Sequence, residues 1–205
     1  EAQTYSMPVF RYADVYLGLV AIYHTAGDLH GRVTTELAWS PDTKTWRRID
    51  SGQPLIPLSS TIGDINWGCI YAASRPVVLK DEIRIYYSGQ KKTHDWNDGW
   101  LCLATLRTDG WAGYVPRNDG RPAVLVTKPV LCNGKTLRVT ADISEGGSVK
   151  ISVLDETGKP LTEGSTLTSD VTQGVAAEVS LHQGKRVRVR LDFRKSQVYS
   201  LGFAK

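Results

Sequence analysis

The 205 residues are 41% hydrophobic and 22% charged, which suits one large or two small globular domains with a buried core. No apolar run reaches the roughly 18 residues a bilayer-spanning helix needs, and Glu1–Ser6 has neither the basic nor the apolar region of a signal peptide. The formal net charge of +4 is uneven: residues 1–120 hold 12 basic and 13 acidic side chains, residues 121–205 hold 13 and 8.

The first part of the chain reads as short β-branched and aromatic runs punctuated by turn signals, the pattern of an all-β protein. Strands are predicted over Met7–Tyr12, Val15–His24, Val33–Ser40 and Thr45–Ile49. After a long connection they resume over Cys69–Leu79, Glu82–Ser88, Trp100–Arg107 and Trp111–Val115. This is a four-stranded unit repeated after about 65 residues, a spacing that suggests propeller blades. The connections alternate in length. Ala13-Asp14, Pro41–Lys44, Lys80-Asp81 and Thr108–Gly110 are tight, whereas Thr25–Arg32, Asp50–Gly68 and Gly89–Gly99 are long. In an antiparallel meander the long connections share one rim, and long loops on a rigid scaffold usually carry function.

All six Trp and eight of the nine Tyr precede residue 116. Two prolines and an Asn-Asp-Gly turn signal in Pro116–Pro122 then mark a joint, which divides the chain into domains 1–120 and 121–205. The second domain reads as a β-sandwich of about seven short strands: Val124–Thr127, Val130–Cys132, Leu137–Ile143, Val149–Leu154, Thr166–Ser169, Val175–Leu181 and Arg186–Phe193, closed by Val198–Phe203. Within it Arg186, Arg188 and Arg190 alternate with Val and Leu, as on a half-buried strand with a basic outer face. No aromatic or glycine-rich reading element lies beside them, so a solvated face is favoured over a nucleic-acid site.

Cys69, Cys102 and Cys132 are too few and too scattered for a disulfide framework or a zinc site. His24 and His30 lack metal-ligand spacing. No phosphate loop, dinucleotide fingerprint or serine elbow occurs. Neither metal nor cofactor is expected, and chemistry must rest on carboxylates and aromatics.

The densest candidate is Gly63–Tyr71, which sets Asp64, Asn66, Trp67 and Tyr71 at the mouth of a strand that would be innermost in its blade. Aromatic rings stack on sugar C–H faces while acids and amides bond hydroxyls, so this mixture suits carbohydrate; packing between blades and capping of a turn would explain the same residues. His94, Asp95 and Trp96 form a similar mixture in the next long loop, and His24 shares the rim. Glu36, inside a predicted third strand, reads as structural, as does Pro41-Asp42 with Trp46.

Leu37-Ala38-Trp39-Ser40-Pro41-Asp42 followed by Trp46 is similar to an outer-strand signature of five-bladed β-propeller glycosidases, the glycoside hydrolase family 32 group and its relatives. Trp67–Ala73 with Asp81–Gly89 resembles a later blade of such proteins, and Gly184–Leu191 with Tyr199–Phe203 resembles the closing strands of their appended β-sandwich. The resemblance implies two blades from the C-terminal part of a propeller, whose remaining blades lie in the same or another chain. It also implies carboxylate-mediated glycoside hydrolysis. The family's Asn-Asp-Pro, Arg-Asp-Pro and Glu-Cys motifs are all missing from this sequence, so no catalytic role carries over. Two functions follow as expectations: a carbohydrate-binding portion of a glycoside hydrolase-like protein, or a noncatalytic carbohydrate-binding protein. Neither nucleic acid nor membrane is an expected partner.

Overall fold

A computed structural model describes residues 1–94, 98–117 and 121–205, and they are almost entirely β: fifteen strands and one short 3-10 turn. Among them no helix is long and apolar enough to cross a membrane. The chain divides into two compact units, Glu1–Trp111 and Ala112–Lys205. This division falls before the Pro-rich joint because Tyr114 already exchanges both backbone hydrogen bonds with Val198 of the second unit.

The first unit is an open nine-stranded sheet. Strands β1 (Ala2–Ser6) and β2 (Val9–Tyr12) lie end to end along one edge of β3 (Val15–His24). β3 pairs antiparallel with β4 (Val33–Ser40), and β4 with the two-residue β5 (Arg47–Arg48). β6 (Cys69–Ala72) and β7 (Val77–Val78) lie along β8 (Glu82–Gln90), whose other edge carries β9 (Trp100–Arg107). A single parallel pairing, Val33 with Cys69, joins the two meanders. β8 shows why it folds so: Ile83, Ile85 and Tyr87 are buried while the residues between them are half-buried, a period of two facing one core.

Four features of this unit depart from the sequence reading. The predicted strand Cys69–Leu79 splits into β6 and β7 on either side of Pro76, which has no N–H to donate to a ladder. β1 was not predicted, since Ala-Gln-Thr-Tyr-Ser is wholly exposed and shows no alternation. Its order comes from pairing with the rim half of β3. The predicted strand at Trp111–Val115 does not form. Trp111 instead turns back to pack its ring 5.3 Å from Phe10 and 5.6 Å from Tyr12, and the Tyr12 hydroxyl donates to Asp109 Oδ1 at 2.8 Å while accepting from the Asp109 N–H. The strand over Thr45–Ile49 shrinks to Arg47–Arg48, because Asp42 holds the Lys44 and Thr45 N–H groups in its turn.

The second unit is a six-stranded open sheet with two 19-residue strands at its centre, β12 (Thr136–Leu154) and β15 (Arg186–Ala204). They pair antiparallel from Thr136–Ala204 to Leu154–Arg188, with two interruptions. The outer edge of β12 carries β14 (Val171–Glu178) on its first half and β13 (Pro160–Leu167) on its second, while β10 (Ala123–Val126) and β11 (Val130–Leu131) flank β15. Each long strand merges two that the sequence reads as separate. The break between them is a bulge, with four residues, 144–147, opposing Lys195 alone. Leu137, Val139, Ala141, Val149, Ile151 and Val153 from β12 meet Val187, Val189 and Leu191 from β15 in one core, all fully buried. Each of the Val, Leu and Ile side chains among them contributes about 1.5–3 kcal/mol of apolar burial.

The arginine face of β15 is occupied by its neighbours. Arg190 makes a two-pronged pair with Asp192, Arg188 donates to the carbonyls of Glu156 and Thr127, and Arg186 donates to that of Pro129. These bonds draw the arginine donors into local structure.

Candidate functional site

β3 and β8 end where β4, β6 and β9 begin, so the long connections meet at one end of the first unit. Backbone bonds tie them together: the His94 N–H reaches the Gly31 carbonyl at 2.7 Å, Gly68 N–H that of Gln90 at 2.7 Å, and Val33 N–H that of Gly68 at 3.1 Å. Tyr12 and Asp109 mark the opposite end, where the turns are short.

Four rings gather at the loop end. The His94 imidazole lies 4.8 Å from Tyr23 and 4.8 Å edge-on from Tyr5, and Tyr5 is 6.0 Å from Tyr71. Tyr23 and Tyr71 form the floor, packed on buried Ala21, Val33 and Cys69. Tyr5 reaches them because the β1–β3 register slips between Thr4 and Ser6, leaving Tyr5 unpaired in a bulge that re-aims its side chain. Burial, and next the Cys69 thiol, push the Tyr71 hydroxyl well above its ordinary pKa. It stays protonated at any physiological pH and can both donate and accept a hydrogen bond.

Beside this cluster the Arg32 guanidinium lies over the Trp67 ring at 4.9 Å, a cation–π contact between the first and second long loops. Lys91 covers the Trp100 ring in the same way at 4.5 Å, leaving that ring almost half exposed. His24 sits at the end of β3 with Nε2 2.9 Å from the Thr34 hydroxyl. Burial lowers its pKa, Glu36 opposes that shift, and Arg32 adds to it.

The residues predicted from sequence fall into separate groups. His94 and Tyr71 belong to the ring cluster, Trp67 to the arginine stack, and His24 to the adjoining strand end. Asp64 and Asn66 serve their own loop: the Ser59 hydroxyl donates to Asp64 Oδ2 at 2.5 Å, the Trp67 N–H to the Asp64 carbonyl, and Asn66 Nδ2 to the Pro57 carbonyl at 3.4 Å. Asp95 and Trp96 lie outside the described residues. Tyr5, Tyr23, Arg32 and Trp100 belong to the site region and were not singled out. For Tyr5 the sequence held no signal, since only the bulge brings it in. Arg32 and Tyr23 were findable as an arginine in a long loop and an aromatic one residue before His24.

Among the described residues no group of three or more His, Cys, Asp or Glu side chains is placed to hold a metal ion. None of the three cysteines forms a disulfide, and all three are buried. Glu36 is buried in β4 and bound by Arg48, which agrees with a structural role.

No family model matches the chain, and no curated protein does. A solved structure that is similar is the glycoside hydrolase family 43 arabinoxylan arabinofuranohydrolase of Bacillus subtilis in complex with cellotetraose. Its TM-score is 0.29 and its identity 12%, over 97% of this chain and 53% of that one. The chain thus spans about half the length of that protein. A likeness at this level assigns this chain to neither family 43 nor family 32.

Proposed function

We propose that this chain binds carbohydrate at the loop end of its first unit, as the C-terminal portion of a glycoside hydrolase-like protein. In this reading the two meanders are consecutive blades of a β-propeller and the second unit is an appended β-sandwich. The observation that carries it is the ring group of Tyr5, Tyr23, Tyr71 and His94 beside the Arg32–Trp67 stack. Such rings offer apolar faces to sugar C–H groups and polar tips to hydroxyls, and they stand on strand ends and loops held by a rigid sheet. Binding, not bond cleavage, is assigned to these residues: the sequence lacks all three carboxylate motifs of the resembled family, and Asp64 is engaged with Ser59.

The test is calorimetric titration of the full chain with a panel of neutral tetraoses, cellotetraose and its xylose counterpart included. Trp67→Ala is expected to weaken binding by roughly 1–3 kcal/mol, by analogy with base stacking on aromatic side chains. Trp46→Ala is the control. Trp46 packs with Met7 on buried Val20, Ile22 and Ala38, so its loss should lower stability by about 3 kcal/mol and leave affinity unchanged. Equal binding by wild type and Trp67→Ala, or no binding by either, would remove the proposal.

A further inference from the structure

We infer that the bend of the long strands in the second unit is a binding site for a hydroxylated monocarboxylate, a sugar acid of the uronate class. The inference is independent of the rim reading, since every residue it uses belongs to the second unit, between Val115 and Tyr199.

A cavity of about 600 Å³ opens at this bend, within the size range of small-molecule sites. Its origin is the bulge. The β12–β15 ladder shifts register once between Thr140 and Ala141, reaches Ile143–Ser196 and restarts at Ser148–Arg194, so residues 144–147 oppose Lys195 alone. Two backbone features hold the bulge. Gly146 has a φ of 69°, and a Cβ on Gly147 would stand 2.5 Å from the Lys195 carbonyl oxygen.

Lys195 itself is left-handed, with a φ of 43°. Glycine or asparagine takes that conformation at less cost. A bulky residue kept where glycine fits better points to a use for its side chain. The Lys195 side chain is exposed and lines the cavity, and among the described residues its ammonium has neither an ion-pair nor a hydrogen-bond partner. Its Nζ stands 3.9 Å from where a Gly146 Cβ would be, an ordinary van der Waals separation, so the ammonium lies beside the bulge.

The remaining lining selects the ligand. Asp142 accepts the Tyr199 hydroxyl at 2.7 Å and lines the cavity as well; a carboxylate has about four acceptor sites, so it can also receive ligand hydroxyls. Ser144 and Gln197 add groups that both donate and accept, and Val115 and Pro116 give an apolar wall. A neutral sugar could accept from the ammonium but would leave its charge unpaired. A phosphate dianion would meet about twice the repulsion from Asp142 that a monocarboxylate meets. One carboxylate for Lys195, hydroxyls for Asp142 and Ser144, and a C–H face for Pro116 satisfy the whole set.

The experiment is amide NMR of the full chain titrated with sodium glucuronate, glucose and inorganic phosphate. Glucuronate is expected to shift the Ser144, Lys195 and Gln197 amides, more strongly than glucose or phosphate does. Lys195→Gly removes the ammonium while relaxing the backbone, so the unit stays folded. It should weaken glucuronate binding roughly tenfold, the loss of one charge-assisted contact. Lys195→Arg should retain it. The inference is overturned if glucuronate shifts none of these amides, if glucose or phosphate matches it, or if Lys195→Gly binds as well as wild type.

Discussion

Gly68 and Lys92 pass so close that a Cβ on the glycine would stand 1.7 Å from the lysine carbonyl oxygen. The contact is backbone against backbone, so neither partner has a flexible side chain to move aside. It brings the loop bearing Trp67 against the loop bearing His94, reinforced by the Gly68 N–H to Gln90 carbonyl bond.

Gly68→Ala should therefore force the two loops apart. We expect a stability loss of about 3 kcal/mol, in the upper range for overpacking against a fixed neighbour. Chemical denaturation of the full chain measures it. A loss below about 0.5 kcal/mol, the size of an ordinary surface change, would show that the loops separate freely.

How far the sequence reaches depends on what sets each feature. Val15–His24, Val33–Ser40 and Trp100–Arg107 carry β-branched and aromatic residues between turn signals, and they appear as strands with the predicted limits. Loop lengths likewise placed His24, Trp67 and His94 at one end. The features missed are those fixed by distant pairing. Tyr5 joins the rings through a bulge against β3, and Tyr114 pairs with Val198 inside the second unit. Ser144–Gly147 looks like a chain-reversing turn, yet in the sheet it is an insertion that lets one ladder continue. Local composition is the same in both cases; only the partner strand tells them apart.

Acid should unfold the first unit in part through His24. Burial is the main cause of its lowered pKa, so below about pH 6.5 the unfolded chain takes up a proton that the folded chain resists. Stability is then fully present above the unfolded pKa and falls as pH drops through that value toward the folded one. Denaturation midpoints at pH 7.5 and 5.5 should differ more in wild type than in His24→Gln. Identical pH dependence in the two proteins would mean that the imidazole takes up its proton as readily in the folded chain as in the unfolded one.

Tyr12 sets the alkaline side at the other end of the unit. Burial first, and then the hydrogen bond to Asp109 and that residue's charge, push its hydroxyl up to about 12. Between the ordinary tyrosine pKa of about 10 and this value the unfolded chain loses a proton that the folded chain keeps. Stability is complete below the lower limit and declines as pH rises through the window. Tyr12→Phe removes both the titration and the hydrogen bonds to Asp109, at about 1 kcal/mol near neutrality. Its stability curve should be flatter than that of wild type above pH 10; a parallel decline would assign the alkaline loss to other tyrosines.

The buried carboxylate of Glu36 gives the sharpest separation of structure from chemistry in this unit. Its side chain is 2% exposed, and Arg48 Nε stands 2.9 Å from Oε2. Arg48 Nη2 and the Gly52 N–H each donate to Oε1 at 3.2 Å. Removing the guanidinium strands a charge inside β4, so Arg48→Ala should cost about 3 kcal/mol, the lower end of the range because Arg48 is itself 37% exposed and partly solvated. Removing the charge as well should restore much of this. An uncharged amide at position 36 needs only hydrogen bonds, and the Gly52 N–H still supplies one donor. Glu36→Gln in the Arg48→Ala background is thus expected to be more stable than Arg48→Ala alone, while affinity for any sugar bound at the ring cluster stays the same. If the double variant is no more stable, the arginine contributes by packing its stem and not by neutralising Glu36. If sugar affinity falls with Glu36→Gln alone, the carboxylate belongs to the site.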